Sequence, residues 1–276
     1  MPEGDTILRA AKTLSKALVG QTVTHFESAY AQPSAADDQA PLLGQQIAAV
    51  RAVGKHLLME FSGGLTLRTH MRMNGSWHIY RPGEAWQRPR RSMRVLIETK
   101  AFVAVGFDVP VVELISARKL ARHPAIQKLG PDLLAPAFDE AEAVRRMEAQ
   151  GARELGEVLL DQKVCAGIGN VYKNETLFLC GHDPRSSQAS LSGLQRLKLL
   201  RTARKLMLAN VQIGGEGPVT YLGLRRTTRS QSPEARLWVY GRGGELCRVC
   251  AARIQFFKHG DGARSTYVCP CCQPRN

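Results

Sequence analysis

The chain has 276 residues, of which 44% are hydrophobic, enough to bury one large core or two cores of ordinary size. This composition excludes general disorder. The formal net charge is +14, and residues 185–276 hold 16 of the 38 basic residues but only four of the 24 acidic ones. Such a concentration of positive charge favours a polyphosphate partner, because cations that bind phosphates release the surrounding counterions.

Membrane and disulfide-rich classes are disfavoured as well. The sequence lacks a run of about 18 apolar residues, a signal-peptide apolar region and a lipidation motif. We therefore expect a soluble intracellular protein of the cytoplasm and nucleoid, with no membrane partner. Seven cysteines, four of them in paired spacing, indicate metal ligation in a reducing compartment. Cys165 and Cys180 have the apolar surroundings of buried core residues.

A helix is predicted directly after the opening tetrapeptide. Either Asp5 or Thr6 is the expected N-cap, and Gly20 is the expected stop. The N-terminus would then lie beside the start of a helix. The prediction rests on apolar residues at helical spacing: Ile7, Ala10, Ala11, Leu14 and Leu18.

Short β-prone runs follow from Thr22 to about Val112, which is typical of a sandwich or barrel. Polar turns separate the runs, and residues 30–41 and 81–91 are predicted to be exposed loops. The second loop could also contact phosphate. The runs are Gln46–Val53, His56–Phe61, Leu65–Thr69, Ser76–Tyr80, Met93–Glu98 and Phe102–Phe107.

Helical patterns replace strands from Ser116 onward, and a polar stretch at 214–235 is predicted to be a mobile loop. We expect an α+β protein that joins an N-terminal helix and a two-layered antiparallel β-sandwich to a helical domain and a zinc-ribbon β-hairpin. The predicted helices are 116–122, 139–149, 154–162, 170–180 and 190–211. The predicted domain limits are 1–123 for the sandwich, 124–138 for a hinge, 139–233 for the helical domain and 234–276 for the hairpin.

Two CxxC pairs, Cys247 with Cys250 and Cys269 with Cys272, are separated by 18 residues. This spacing is close to that of a zinc ribbon, in which four thiolates hold one structural Zn²⁺ in a tetrahedron. Cys271 could also be the fourth ligand, although the symmetric spacing favours Cys272. Closed four-sulfur sites are structural, so the chemistry must come from elsewhere in the chain.

The segment between the pairs, Ile254–Val268, has strand-like residues around a turn at Gly260-Asp261-Gly262. A hairpin of this size needs the metal for stability. Its basic residues include Arg253, Lys258 and Arg264. A basic side chain at the tip could enter a groove or bind phosphate, and the alternative is a solvated surface charge.

Pro2 admits two interpretations. In the first, Pro2 is simply a small second residue that permits removal of Met1, as in many proteins, and has no catalytic role. Once Met1 is removed, however, Pro2 exposes a secondary amine. This amine is partly unprotonated at neutral pH, because a free α-amino group has a pKa of about 8. Attack of that amine on a sugar C1′ forms an iminium that remains cationic without a proton.

Two further residues are candidates for the same chemistry. Glu3, next to Pro2 in the sequence, is a candidate general acid. Lys55 follows Gly54 and could contact phosphate or assist proton transfer, or it could be an ordinary surface lysine.

Six ordered sequence blocks together resemble the formamidopyrimidine-DNA glycosylase and endonuclease VIII family across nearly the whole chain. The blocks are MPEG at 1–4, VGKHLLMEF at 53–61, THMRMNGSW at 69–77, LLDQKVCAGIGNVYKNETLF at 159–178, VYGRGGELCRVC at 239–250 and ARSTYVCPCCQ at 263–273.

The resemblance implies a bifunctional DNA glycosylase and AP lyase of base excision repair that acts on damaged duplex DNA. Because the sequence does not indicate oligomerisation, we expect a monomer. It implies that Pro2 is the Schiff-base nucleophile, Glu3 the general acid and Lys55 a catalytic or phosphate-contacting lysine. Arg264 would be the zinc-finger arginine at the lesion. The family implies β,δ-elimination after base release.

The resemblance also implies a set of DNA-binding residues. Met73 would be an apolar wedge that fills the gap left by the flipped base, and core packing at a strand end is the alternative. Asn170 would bind a backbone phosphate at a helix start, where it could equally be an N-cap. Lys163 and Arg264 complete this set.

Departures from the family pattern bear on the substrate. Asp5-Thr6 stands where the family usually has Pro-Glu, and residues 98–112 lack the Arg-x-Phe pair of the formamidopyrimidine branch. The second departure favours the endonuclease VIII branch and oxidised pyrimidines. The alternative that the protein acts on 8-oxoguanine and formamidopyrimidine remains, because the block at 239–250 resembles the formamidopyrimidine-DNA glycosylase branch. A non-catalytic zinc-ribbon protein that binds damaged DNA is the alternative of a different class.

Overall fold

The computed structural model describes residues 2–212 and 225–275. The chain divides into two compact units. Among the described residues, the first unit is built on 2–128 and the second on 129–210 and 225–275. Strands dominate the first unit and helices the second, which confirms the predicted α+β class.

The first unit contains two four-stranded sheets in which all neighbouring strands are antiparallel. One sheet has the order β1-β6-β7-β5 and the other the order β2-β3-β4-β8. The strands are β1 (Val23–Ser28), β2 (Ile47–Val53), β3 (His56–Phe61), β4 (Leu65–His70), β5 (Ser76–Tyr80), β6 (Met93–Thr99), β7 (Val103–Phe107) and β8 (Val111–Ser116).

The main core of the first unit joins helix α1 (Gly4–Leu18) to residues from both sheets. The apolar face of α1 is buried, as its spacing predicts. The predicted N-cap was wrong, because α1 starts earlier and Glu3 is its N-cap. Asp5 and Thr6 are buried within the first turn rather than before it. The core includes Ile7, Leu14, Leu18, Leu57, Leu67, Trp77, Val95, Ile97 and Leu114.

The loop predicted at residues 30–41 was wrong, because this stretch forms helix α2 (Ala31–Gln39). Its sequence has no apolar stripe, and tertiary contacts hold it instead. The Gln32 amide donates to the Leu114 carbonyl at 2.8 Å and accepts from the Leu114 amide at 3.1 Å. Strands β1 and β8 were not among the predicted runs. The burial of β1 does not alternate along the strand, and β8 lies at the end of the region that was predicted to be β-rich.

The second unit consists of helices and a C-terminal hairpin. The helix predicted at 154–162 is only one turn long, because the chain turns at Asp161, whose side chain accepts from the Lys163 amide at 3.0 Å. Short helices α3 (Ala117–Ala121) and α4 (Pro124–Gln127) end the first unit. The second unit has α5 (Glu140–Glu148), α6 (Leu155–Val158), α7 (Asn170–Cys180), α8 (Gly193–Gln212), β9 (Gln255–His259) and β10 (Arg264–Val268).

The loop predicted at 214–235 lies in part outside the described residues, at 214–224. The rest of it is anchored. The Asn210 side chain accepts from the Arg226 amide at 2.7 Å and donates to the Arg226 carbonyl at 2.8 Å. Across the described part of the chain, no helix has the length and apolar character needed to span a membrane.

Candidate active site and metal centre

Pro2 is buried in extended chain just before α1 begins. It lines a cavity of about 1100 Å³ in the first unit. Met73 lines the same cavity and is 57% exposed, so it is not the core residue that one interpretation of the sequence allowed. The structure therefore brings the predicted nucleophile and the predicted wedge to one cavity.

The short loop between β4 and β5 presents Met73 to solvent. The Gly75 amide donates to the Met71 carbonyl at 2.9 Å, and a Cβ on Gly75 would lie only 2.6 Å from that oxygen. Arg72 has a φ of 46°, in the left-handed region. The turn is thus too tight for a side chain at position 75.

Glu3 is wholly buried, and its carbonyl accepts the first helical hydrogen bond from Ile7 at 3.1 Å. The two residues that depart from the family pattern, Asp5 and Thr6, follow it after Gly4. The Thr6 hydroxyl donates to the Asp5 carboxylate at 3.3 Å. This places a second carboxylate in the first turn of α1, where the positive end of the helix stabilises a negative charge.

Lys55 occupies the tight turn between β2 and β3, with Gly54 in the left-handed conformation at φ 58°. The lysine is half-buried and is close enough to His70 to lower the pKa of that ring. Lys55 is not one of the described residues that line the cavity. It lies beside the loop that carries Met73, whereas Pro2 lies on the cavity wall.

A buried network behind this loop was missed by the sequence analysis. The Arg68 guanidinium bonds the Glu113 carboxylate at 2.7 and 2.8 Å and His56 Nδ1 at 2.9 Å. The His56 ring packs edge-on against His70, with 4.9 Å between centroids. Arg68 is a fixed donor, so His56 Nδ1 must accept and the ring is neutral. Burial and neighbouring charges lower the pKa of His56 to about 3 and that of His70 to about 4.

Acid is expected to destabilise the first unit through His56. The unfolded ring titrates at its usual 6.5 and the folded ring at about 3, so its stabilising contribution is present above pH 6.5 and is lost as the pH falls toward 3. At pH 5 we expect a loss of about 2 kcal/mol from this group. Urea unfolding at pH 7.5 and pH 5 measures the difference.

The control variant His25→Gln, on an exposed ring, should keep the wild-type pH dependence. His56→Gln should be less stable at pH 7.5 but should show a weaker dependence on pH. An unchanged dependence in His56→Gln would assign the acid sensitivity to other groups.

The remaining cavity wall is rich in guanidinium groups. Arg88 Nη1 bonds the Asp108 carboxylate at 2.5 Å, and Arg72 and Arg94 also line the cavity. Asp108 has a φ of 49° and stands in the segment that lacks the Arg-x-Phe pair. Three guanidiniums against one carboxylate suit a phosphate-bearing ligand.

In the second unit, polar residues at helical spacing on α7 hold strand β10. The Asn170 amide nitrogen donates to the Ser265 carbonyl at 2.8 Å. The ammonium group of Lys173, wholly buried, donates to the Thr266 hydroxyl at 2.7 Å. Asn174 accepts from the Tyr267 amide at 2.7 Å. The spacing i, i+3, i+4 was visible in the sequence, but its partner strand was not.

The three basic or amide residues expected to bind DNA all lie in this unit. Asn170 is the first helical residue of α7, whose N-cap is Gly169, so the N-cap interpretation of Asn170 was wrong. Arg264 is exposed at the first position of β10, beside the hairpin turn, and Lys163 is exposed before α7. His259 ties the hairpin to the α6 region through a 2.7 Å contact with Glu154.

Glu175 is a buried carboxylate that binds the backbone of the segment preceding the first CxxC pair. Its Oε1 accepts from the amides of Val239 and Tyr240 at 2.9 and 2.8 Å. Its Oε2 accepts from the Trp238 amide at 2.8 Å and from the Thr227 hydroxyl. Four donors on one wholly buried carboxylate satisfy its charge, so the chain at 238–240 is held at α7.

Glu175→Gln is expected to lower the free energy of unfolding by about 3 kcal/mol, because the new amide hydrogens face backbone donors. Denaturant unfolding followed by tryptophan fluorescence measures this, since Trp238 stacks on Phe178 beside the site. The matched control, Glu245→Gln, changes a carboxylate that is 56% exposed and should cost less than about 0.5 kcal/mol. Equal effects of the two variants would contradict the anchoring role.

The four cysteines of the two CxxC pairs meet in space. Their sulfur atoms all lie within 4.8 Å of one another, with 3.3 Å between Cys250 and Cys269 and 3.9 Å between Cys247 and Cys272. Four thiolates at about 2.3 Å from one tetrahedral metal would be separated by about 3.8 Å. The group therefore fits a metal ion. Cys271 is exposed and does not belong to it.

Comparison with known proteins also separates the chain between residues 122 and 129. Residues 1–122 match the model of the formamidopyrimidine-DNA glycosylase N-terminal domain, and residues 129–221 match that of the formamidopyrimidine-DNA glycosylase H2TH domain. A relative from Streptomyces coelicolor named "Probable endonuclease 8 2" is 39% identical over 99% of this chain and 94% of its own length. The relative from Mycolicibacterium smegmatis named "DNA-(apurinic or apyrimidinic site) lyase Nei2" is 35% identical over 99% of each.

Among solved structures, the complex between Lactococcus lactis Fpg and DNA containing an abasic site is similar, with a TM-score of 0.82 and 25% identity. That match covers 99% of this chain and 100% of the other. The fold and the site thus define a protein of the H2TH class with a C-terminal hairpin beside four clustered cysteines. The chain belongs to the formamidopyrimidine-DNA glycosylase and endonuclease VIII family, on the endonuclease VIII-like branch.

Proposed function

We propose that this protein is a bifunctional DNA glycosylase and AP lyase of base excision repair that excises oxidised pyrimidines from damaged duplex DNA. The relatives named endonuclease 8 and Nei2 lyase support this activity. The observation that carries the proposal is Pro2 on the wall of a cavity large enough for a nucleotide. In this proposal the nucleophile Pro2 and the general acid Glu3 belong to the predicted domain 1–123.

The chemistry starts from the Pro2 nitrogen. After removal of Met1, the secondary amine attacks C1′ of a flipped nucleotide and the glycosidic bond breaks, with the base leaving as a protonated species. Opening of the sugar ring at the C1′–O4′ bond, with protonation of O4′, then leaves an iminium between Pro2 and C1′. This cation acidifies the C2′ proton, so that the 3′-phosphate leaves by β-elimination and the 5′-phosphate by δ-elimination. The positive end of α1 favours the uncharged, nucleophilic form of the amine.

Three further residues act at the reacting nucleotide in this proposal. Glu3 protonates the ring oxygen or the leaving base, and Lys55 contacts the lesion phosphate or assists proton transfer. Arg264 binds at the lesion. The exposed position of Arg264 and the fixed turn of Lys55 support these roles.

DNA binding is assigned to Met73, Asn170, Lys163 and Arg264. Met73 fills the gap left by the flipped base, and its exposure supports this role. The second N–H of the Asn170 amide and the start of α7 offer donors to a backbone phosphate. The predicted domains 139–233 and 234–276 carry the other contacts, and the protein acts as a monomer.

The metal of the cysteine group is proposed to be one structural Zn²⁺, held by Cys247, Cys250, Cys269 and Cys272. Closed tetrahedral thiolate sites are characteristic of this ion. The ion would supply folding energy to the β9–β10 hairpin and no chemistry.

Borohydride trapping tests the proposed function. Duplex DNA with an abasic site or an oxidised pyrimidine is incubated with the protein and reductant, and peptide mapping then locates the adduct. We expect a covalent adduct on Pro2. Tight binding of damaged DNA without an adduct would instead favour the non-catalytic damage-binding protein. Faster excision of 8-oxoguanine or formamidopyrimidine than of oxidised pyrimidines would move the substrate to the other branch.

Glu3→Gln is expected to slow base excision about a hundredfold, because a positioned proton donor contributes at least this much. The adduct on a preformed abasic site should persist, since there is no base left to release. Single-turnover excision of an oxidised pyrimidine measures the effect. Glu27→Gln, on a half-exposed carboxylate of β1, is the control and should leave the rate unchanged. Equal rates in the two variants would remove Glu3 from proton transfer.

A further inference from the structure

Three polar side chains follow one another on one face of β5. The Ser76 hydroxyl lies 3.2 Å from His78 Nε2, and His78 Nδ1 lies 2.9 Å from the Tyr80 hydroxyl. All three residues are buried, and Ser76 and His78 line the cavity that contains Pro2. Neither the nucleophile role nor the wedge role proposed above uses them.

The direction of each hydrogen bond follows from one backbone donor. The Gln87 amide donates to the Tyr80 hydroxyl oxygen at 3.1 Å, so the hydroxyl hydrogen must find an acceptor elsewhere. Within the described residues, the acceptor in reach is His78 Nδ1. The opposite tautomer of His78 would leave a buried hydroxyl hydrogen without an acceptor, which is costly.

His78 therefore carries its proton on Nε2 and donates it to the Ser76 oxygen. Burial, helped by the charge of Arg88, lowers the pKa of His78 to about 4, which is consistent with a neutral ring at pH 7. The ring of Phe107 packs edge-on against His78 at 5.0 Å and limits its rotation. Because Ser76 accepts from His78, its own hydrogen is left for the cavity.

We propose that Ser76 is a specificity-determining residue whose hydroxyl donates a hydrogen bond to a carbonyl oxygen of the damaged base held in this cavity. The inference rests on the proposed function, which brings a flipped nucleotide to Pro2. A base with an N–H at the same point would set donor against donor and leave both unpaired. A buried polar group with a fixed direction discriminates strongly in this way.

Two measurements on Ser76→Ala test the proposal. Single-turnover excision of an oxidised pyrimidine should slow about tenfold, as expected for one lost hydrogen bond. Borohydride trapping on an abasic duplex should stay within about twofold of wild type, because no base is present. Unchanged excision, or an equal loss on both substrates, would overturn the role of Ser76. A wild-type protein that forms no adduct on abasic DNA would instead overturn the proposed function.

The tautomer of His78 gives a readout that a purely structural role would not move. Long-range ¹⁵N–¹H correlation spectra of the wild type should show the His78 proton on Nε2. Tyr80→Phe removes the distant donor without altering the cavity wall, and it should shift the tautomer population and slow excision less than Ser76→Ala. A wild-type His78 protonated on Nδ1 would contradict the donor direction and overturn the proposal.

Discussion

A single residue added in front of Pro2, and resistant to removal, is expected to abolish both the trapped adduct and strand cleavage. The extension converts the secondary amine into an amide, which has no nucleophilic lone pair. Loss of a covalent nucleophile costs roughly a thousandfold or more in rate. Trapping and cleavage on an abasic duplex measure the effect, and comparison of unfolding temperatures shows whether the first unit stays folded.

The matched control carries the same extra residue at the C-terminus and should retain wild-type activity. Pro2 is buried at the start of α1, so binding of duplex DNA by the N-terminally extended chain must be measured as well. If an adduct still forms with the N-terminus blocked, the nucleophile is a lysine. Lys55 would be the first candidate, because it lies beside the loop that carries Met73.

Cys272→Ser is expected to destabilise the second unit by about 5 kcal/mol or more, because the metal proposed for the cysteine group would supply the folding energy of a small hairpin. The Cys272 sulfur is one of the four within 4.8 Å of each other. Metal content by atomic absorption should fall well below one equivalent per chain. Affinity for duplex DNA should fall with it, since Arg264 begins the strand that the metal stabilises.

Cys271→Ser is the control, because it removes a neighbouring thiol that lies outside the cysteine group. This variant should keep one equivalent of metal and wild-type stability. The reverse result, with metal lost in Cys271→Ser and retained in Cys272→Ser, would make Cys271 the fourth ligand. Retention of metal by both variants would mean that the two cysteines substitute for each other.

Local pattern was a good guide wherever the chain's own periodicity decides the structure. The β-prone runs predicted at His56–Phe61 and Ser76–Tyr80 match β3 and β5 to the residue. The hairpin β9–β10 has its turn at Gly260, as the glycines indicated. Short-range chemistry of this kind does not depend on distant partners.

Local sequence pattern did not predict the structure where contacts between residues distant in the chain determine it. Helix α2 has no apolar stripe and is held by Gln32 through a partner 82 residues away. The sequence gives no sign that Arg68 is buried, because its burial depends on the contact with Glu113, 45 residues away. The proposed direction of the Ser76 hydroxyl likewise depends on the Gln87 backbone amide, in a loop whose contact with Tyr80 was not predicted.

The sequence by itself determined the family, the cysteine set with Cys271 or Cys272 as the fourth member, and the candidates Pro2, Glu3 and Lys55, because each depends on residue type and spacing. Only the tertiary structure decided that Pro2 and Met73 share a cavity and that Lys55 lies beside His70. It also decided that Lys173 and Glu175 are wholly buried. The reason is physical: burial and hydrogen-bond direction are set by partners far apart in the chain, and no local pattern records them.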